Sequence, residues 1–126
     1  MPVASGRFDV TLAPLSTDIP NGGRRSIDKQ FHGDLTGVSK GEMLAIGSPV
    51  QGSAGYVAME TVTGELQGRA GTFSLMHTGM MNRGTPSLIV TVVPDTGTGE
   101  LTGLSGQMQI IIEGKEHRYE FTYELG

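Results

Sequence analysis

At 126 residues and 37% hydrophobic, the chain suits one domain with one compact core, expected to span 1–126. Its 20 glycines follow no G-x-y period, which excludes collagen, and no apolar run reaches membrane-spanning length. The net charge of −4 comes without a basic stripe, which argues against nucleic acid and anionic membrane as partners; the lack of cysteine excludes disulfides, thiolate metal sites and thiol catalysis.

Met1 to Phe8 show no basic segment followed by an apolar one, so no signal peptide is read and a cytoplasmic protein is expected. Helical periodicity is nearly absent. Short alternating stretches bounded by Gly, Pro, Asn or Asp predict strands over roughly 5–13, 24–35, 41–47, 54–66, 71–79, 86–93, 107–113 and 117–125, with a short extra piece near 98–102. Asn21-Gly22-Gly23 and Pro94-Asp95-Thr96-Gly97 are turn signals. In the last strand Tyr119, Phe121, Tyr123 and Leu125 share one face, and Arg118, Glu120, Thr122 and Glu124 the other.

A motif recurs three times: Gly33-Asp34-Leu35-Thr36-Gly37, Gly64-Glu65-Leu66-Gln67-Gly68 and Gly99-Glu100-Leu101-Thr102-Gly103. No helix follows any copy, which argues against a phosphate-binding loop and for hairpin ends whose glycines supply positive φ. With Arg69-Ala70 as a two-residue turn, Leu66 faces Phe73, Gly64 faces Leu75, Val62 faces His77 and Glu60 faces Gly79. With Leu104-Ser105 as the turn of the third copy, Leu101 faces Met108. A three-residue turn in the first copy sets Leu35 against Met43. Each pairing places a leucine opposite a large apolar side chain, as a core-facing pair requires.

Counting in twos from these leucines gives the inner face: Tyr56, Ala58, Glu60 and Val62; Ile27, Lys29 and Phe31; and Phe73, Leu75 and His77. The opposite positions, such as Thr61, Thr63, Thr72 and Ser74, are polar. Eight short antiparallel strands with one apolar face each predict an all-β closed barrel with little or no helix, because closure removes exposed edges. A two-sheet sandwich is the alternative.

Lys29, Glu60 and His77 stand out on this apolar face. Glu60 and His77 are diagonal neighbours in the register above, with Cβ atoms ~7 Å apart or less. A buried charge must be paired, hydrogen-bonded or neutralised, so the three could form a structural polar cluster, orient a ligand, or act as general acid and base. Burial alone raises the pKa of Glu60 and lowers that of His77, and a close ion pair does the reverse. Tyr56, Phe31, Leu75, Tyr119, Phe121 and Tyr123 are the candidate ligand-lining residues, with core filling the alternative for the three tail aromatics. Met76, Met80 and Met81 cluster as adaptable apolar surface, a lip over a cavity or a subunit contact. His32 and His117 have no companions at metal-ligand spacing, and no cofactor is implied.

Three stretches resemble an uncharacterised bacterial domain family of unknown function: Lys29-x-Phe31-x-Gly33-Asp34-Leu35, then Gly64-Glu65-Leu66-x-Gly68-Arg69-x-Gly71-x-Phe73-x-Leu75-x-His77-x-Gly79, and Val92-Val93-Pro94-x-x-Gly97-Thr98-Gly99-Glu100-Leu101-x-Gly103-Leu104-x-Gly106. Met76 and Met81 depart from more polar residues at those places. The resemblance implies an eight-stranded barrel similar to plant allene oxide cyclase, without implying that enzyme's activity. The expected function is binding of a small apolar molecule, with an isomerase or cyclase as one form of it; the alternative is a non-catalytic structural or assembly domain with a filled core. A homodimer is expected, two-fold dimers being the commonest soluble assembly.

Overall fold

The structure, a computed structural model, describes Met1–Gly126. Eight antiparallel strands close into a barrel in chain order: β1 (Val3–Leu15), β2 (Gly22–Gly33), β3 (Leu35–Gly47), β4 (Ala54–Leu66), β5 (Arg69–Asn82), β6 (Thr85–Val92), β7 (Leu104–Glu113) and β8 (Glu116–Leu125), with β8 hydrogen-bonded back to β1. Closure excludes the two-sheet sandwich. The piece expected as a ninth short strand is a single 3₁₀ turn over Gly99–Leu101, and no helix is long and apolar enough to cross a membrane.

The expected inner face is the observed one, but the expected pairings are not. The β4–β5 turn is Gln67-Gly68, not Arg69-Ala70: Leu66 faces Arg69, and both central residues have positive φ, +47° and +86°. That is the backbone a two-residue hairpin needs to match strand twist, and Gly68 supplies half of it without strain. Phe73 therefore faces Val62 rather than Leu66, Leu75 faces Glu60 rather than Gly64, His77 faces Ala58 rather than Val62, and Gly79 faces Tyr56 rather than Glu60. Every displacement is an even number of residues, so each side chain keeps its face.

The three motif copies do three different jobs. In the first, Leu35 opens β3 instead of closing β2, so β3 runs from residue 35, not 41, and Leu35 faces Leu66 rather than Met43. The second ends β4. In the third, Leu101 belongs to the 3₁₀ turn, and Met108 pairs with Val90 instead. What the copies share is the burial of Leu35, Leu66 and Leu101 in one apolar cluster with Leu104. Since the β2–β3 and β4–β5 turns lie at this end, the repeat seals one end of the barrel.

Behind that seal the lumen is filled. Phe31 meets Tyr119 edge-on at 5.7 Å, Phe73 stacks on Phe121 at 5.8 Å, and Phe121 stacks on Tyr123 at 5.4 Å. The other end is uncapped. Leu12, Met81, Leu88 and Ile112 occupy inward positions by strand alternation, yet 40–66% of each is exposed. One barrel thus has a packed half and an open mouth, where Arg25 of β2 and His117 of β8 share the inward parity with these apolar side chains.

Candidate functional site

Between the two halves lies a four-residue polar network. Glu60 on β4 reaches into the lumen beside Gly41 of β3, its cross-strand partner. A Cβ on Gly41 would lie 2.1 Å from the Met59 carbonyl oxygen and 2.8 Å from Glu60 Cβ, so only glycine permits this approach of the strands. Lys29 comes from β2 and Ser39 from β3, directly opposite each other, and His77 from β5. Lys29 Nζ donates to Glu60 Oε2 at 2.8 Å, His77 Nε2 donates to the same oxygen at 2.5 Å, and the Ser39 hydroxyl donates to Oε1 at 2.8 Å. All are buried: Lys29 is 8% exposed, Glu60 2%, His77 4%.

Burial pushes the Glu60 carboxyl up, but the His77 hydrogen bond and the charge and hydrogen bond of Lys29 outweigh it, and the pKa falls from 4.5 to about 2. Of the two opposed effects expected from the sequence, the ion pair wins. An ionised Glu60 is acceptor-only, which assigns the shared proton to His77 Nε2. His77 Nδ1 has no protein partner, although no enclosed polar atom lacks one, so Nδ1 lies at the residual opening of the network. Lys29 Nζ sits 4.8 Å from the Phe8 ring centre and 5.8 Å from that of Phe31, which adds cation–π attraction on its apolar side.

The three candidate polar residues are therefore brought together. Ser39 falls in the three-residue turn expected before a strand from residue 41; with β3 beginning at Leu35, counting in twos reaches it. The candidate lining residues divide. Phe31, Leu75, Tyr119, Phe121 and Tyr123 are buried in the packed half. Tyr119 is an anchor: its hydroxyl accepts from the Leu35 N–H at 2.9 Å and faces the His32 and Leu35 carbonyls at 2.9 and 3.1 Å. Burial raises its pKa, against the hydrogen bond from Leu35. The Tyr123 hydroxyl donates to the Gln67 side chain. Tyr56 alone is part-exposed, its ring lying over Gly79 and its pKa raised by burial.

The methionine cluster splits by alternation. Met81 takes an inward position at the mouth, whereas Met76 and Met80 face outward. A pocket of about 560 Å³ opens on that outer side; it touches Tyr56 but none of Lys29, Glu60 and His77. His32 pairs with Asp9 at 3.1 Å and His117 packs on Phe8, and no group of three or more acidic or histidine side chains is arranged to hold a metal.

Residues 4–123 match a family described as a protein of unknown function, DUF3224. The chain is also similar to a crystal structure of a protein with unknown function from that family, from Shewanella oneidensis MR-1. The two are 46% identical, the likeness covers 100% of this chain and 98% of the other, and the TM-score is 0.96. No curated protein matches the chain.

Proposed function

The chain belongs to the DUF3224 family, and from its geometry we propose that it binds a small, largely apolar molecule in the open half of the barrel. The observation that carries this reading is the buried Lys29–Ser39–Glu60–His77 network on the side of the packed half that faces the mouth, with His77 Nδ1 left without a protein partner. Leu12, Met81, Leu88 and Ile112 would cover the apolar body of the ligand. His77 Nδ1 and the outer side of Lys29 would meet its polar group. A mostly apolar cavity with a few convergent polar groups is the usual form of a small-molecule site.

The chemistry available is narrow. Glu60 accepts three hydrogen bonds and is held to a pKa of about 2, so it is a poor general base near neutral pH. In an isomerase or cyclase the proton carrier would be His77 Nδ1, with Glu60 orienting the ring from Nε2 and Lys29 facing developing negative charge. The allene oxide cyclase-like barrel implied by the sequence resemblance would be fold analogy and adds no reaction.

A second reading, the filled structural barrel, is favoured by one observation: the network satisfies itself and leaves no enclosed polar atom unpaired. Native mass spectrometry of the purified protein separates the two. Binding predicts a retained small-molecule adduct that is lost in His77→Ala while the fold persists. Absence of any adduct, together with failure of ¹⁵N-labelled His77 to shift on titration with a medium-chain fatty acid or its alcohol, would establish the filled barrel.

A further inference from the structure

The outer face of β3–β6 has a composition unlike the rest of the barrel's exterior. Outward positions carry charge on β1 (Arg7, Asp9), β2 (Arg24, Asp28) and β8 (Arg118, Glu120), and on β3 at Lys40 and Glu42, which pair with Asp28 and Arg24. On β3–β6 the outward positions nearest the mouth are Leu44, Ile46, Val57, Met80 and Ile89, joined by Ile19 from the β1–β2 loop, and no charged residue lines the pocket they surround. The Met59–Met76 cross-strand pair extends the apolar surface along the barrel, up to Glu42, which faces Met59 from β3 and pairs with Arg24.

These side chains expose on the order of 700 Å², more than the largest apolar patch of a typical monomer and near the ~800 Å² each partner covers in a standard interface. The surface also has relief. Gly55 lies between Ile46 and Met80 on the neighbouring strands and contributes no side chain, so the sheet is dimpled there. Met80, beside the dimple, is 67% exposed. A knob adjacent to a hole on one face is what a two-fold contact uses, since each copy then offers what the other lacks.

We propose that this face docks a second copy of the chain, with Met80 of each copy seated in the dimple at Gly55 of the other. Charge favours this occupant. Two copies that each carry −4 can meet over an uncharged patch while their charges stay at the rim in water, where salt screens them. The charges at its edge, Arg24 and Glu42, are already paired with each other, which leaves a partner recognised by charge little to meet. The methionines suit the contact because their flexible side chains adapt to a facing surface.

Light scattering over a wide concentration range should give twice the 13.3 kDa chain mass. Met80→Asp and Ile89→Lys should each halve that mass with an unchanged circular-dichroism spectrum. They lie on different strands, so a folding failure in one leaves the other to read. Thr11→Lys, on the opposite outer face, should leave the dimer intact. A wild-type monomer at every concentration, or a dimer that survives both substitutions, overturns the proposal. So does a larger assembly dissociated by the same substitutions, which would replace the two-fold seating by a ring. A monomer that binds 1-anilinonaphthalene-8-sulfonate, and loses it in Met80→Asp, would give the face to a small apolar ligand. A monomer that binds no dye there would leave the face to a different protein. Both results overturn docking of a second copy.

Discussion

His77 donates its Nε2 proton to Oε2 of Glu60 at 2.5 Å from the position diagonal to it across the β4–β5 hairpin, since Glu60 faces Leu75 and His77 faces Ala58. The diagonal survives a mistaken register. With Glu60 facing Gly79, His77 sits two residues to one side of its partner; with Glu60 facing Leu75, it sits two residues to the other. Either way the side chains share a face and lie within reach. The consequence is a carboxylate held ionised in a low-dielectric lumen by two basic groups and a hydroxyl.

The depressed pKa of Glu60 ties stability to acidity. The group binds its proton more weakly folded, at about 2, than unfolded, at 4.5. Its contribution is therefore complete above about pH 4.5 and is lost as pH falls toward 2. Linkage puts that contribution on the order of 3 kcal/mol. Urea unfolding across this window should show the wild type losing stability more steeply than Glu60→Gln. Equal slopes would mean that Glu60 titrates as an ordinary carboxylate.

Removing one basic member of the network should cost more than removing Lys29, Glu60 and His77 together. Lys29→Met leaves an ionised Glu60 with His77 and Ser39 alone and should destabilise by about 3–5 kcal/mol. The combined Lys29→Met, Glu60→Leu, His77→Leu variant fills the same space with apolar atoms and should recover much of that loss. If Lys29→Met is neutral, the ion pair carries no net stabilisation.

The corrected register is testable by a double-mutant cycle. Phe73→Ala should cost about 3–5 kcal/mol and Leu66→Ala about 2–5 kcal/mol. Coupling should be larger for the facing pair Val62–Phe73, in the range of about 0.5–3 kcal/mol, than for Leu66–Phe73. The reverse order would restore the Arg69-Ala70 turn.

Tyr119→Phe should destabilise by about 1–3 kcal/mol, because it leaves the buried Leu35 N–H without its acceptor. Hydrogen exchange at Leu35 should quicken in this variant more than at strand amides bonded within the sheet. Unchanged exchange at Leu35 would show that another group takes the hydroxyl's place.

For Glu60→Gln, binding and stability should part company if the site serves a ligand. Shape is preserved, but Gln cannot hold the His77 Nε2 proton as a carboxylate does, so Nδ1 presents a weaker acceptor to the mouth. Retained-adduct mass spectrometry beside thermal unfolding checks this. An adduct fully kept by both Glu60→Gln and His77→Ala places the ligand elsewhere, whatever the stability result.

The strand alternation, and with it the placing of Lys29, Glu60 and His77 on one inner face, was legible in the sequence because a period of two is local: it needs only neighbouring residues and tolerates any even slip. The burial of Leu35 and Leu66 was legible for the same reason, and that of Leu101 from its place in the repeated motif rather than from a strand. The pairings were not. Whether Gln67-Gly68 or Arg69-Ala70 makes the turn depends on the left-handed backbone accepted at Gln67, and a glutamine there carries no composition signal. Ser39 stayed hidden until β3 was known to begin at Leu35, which is decided by its pairing with β4 rather than by its own residues. Which half of the barrel is packed follows from closure of β8 onto β1. Only that long-range contact decides which ends of eight strands converge on three leucines and which stay open.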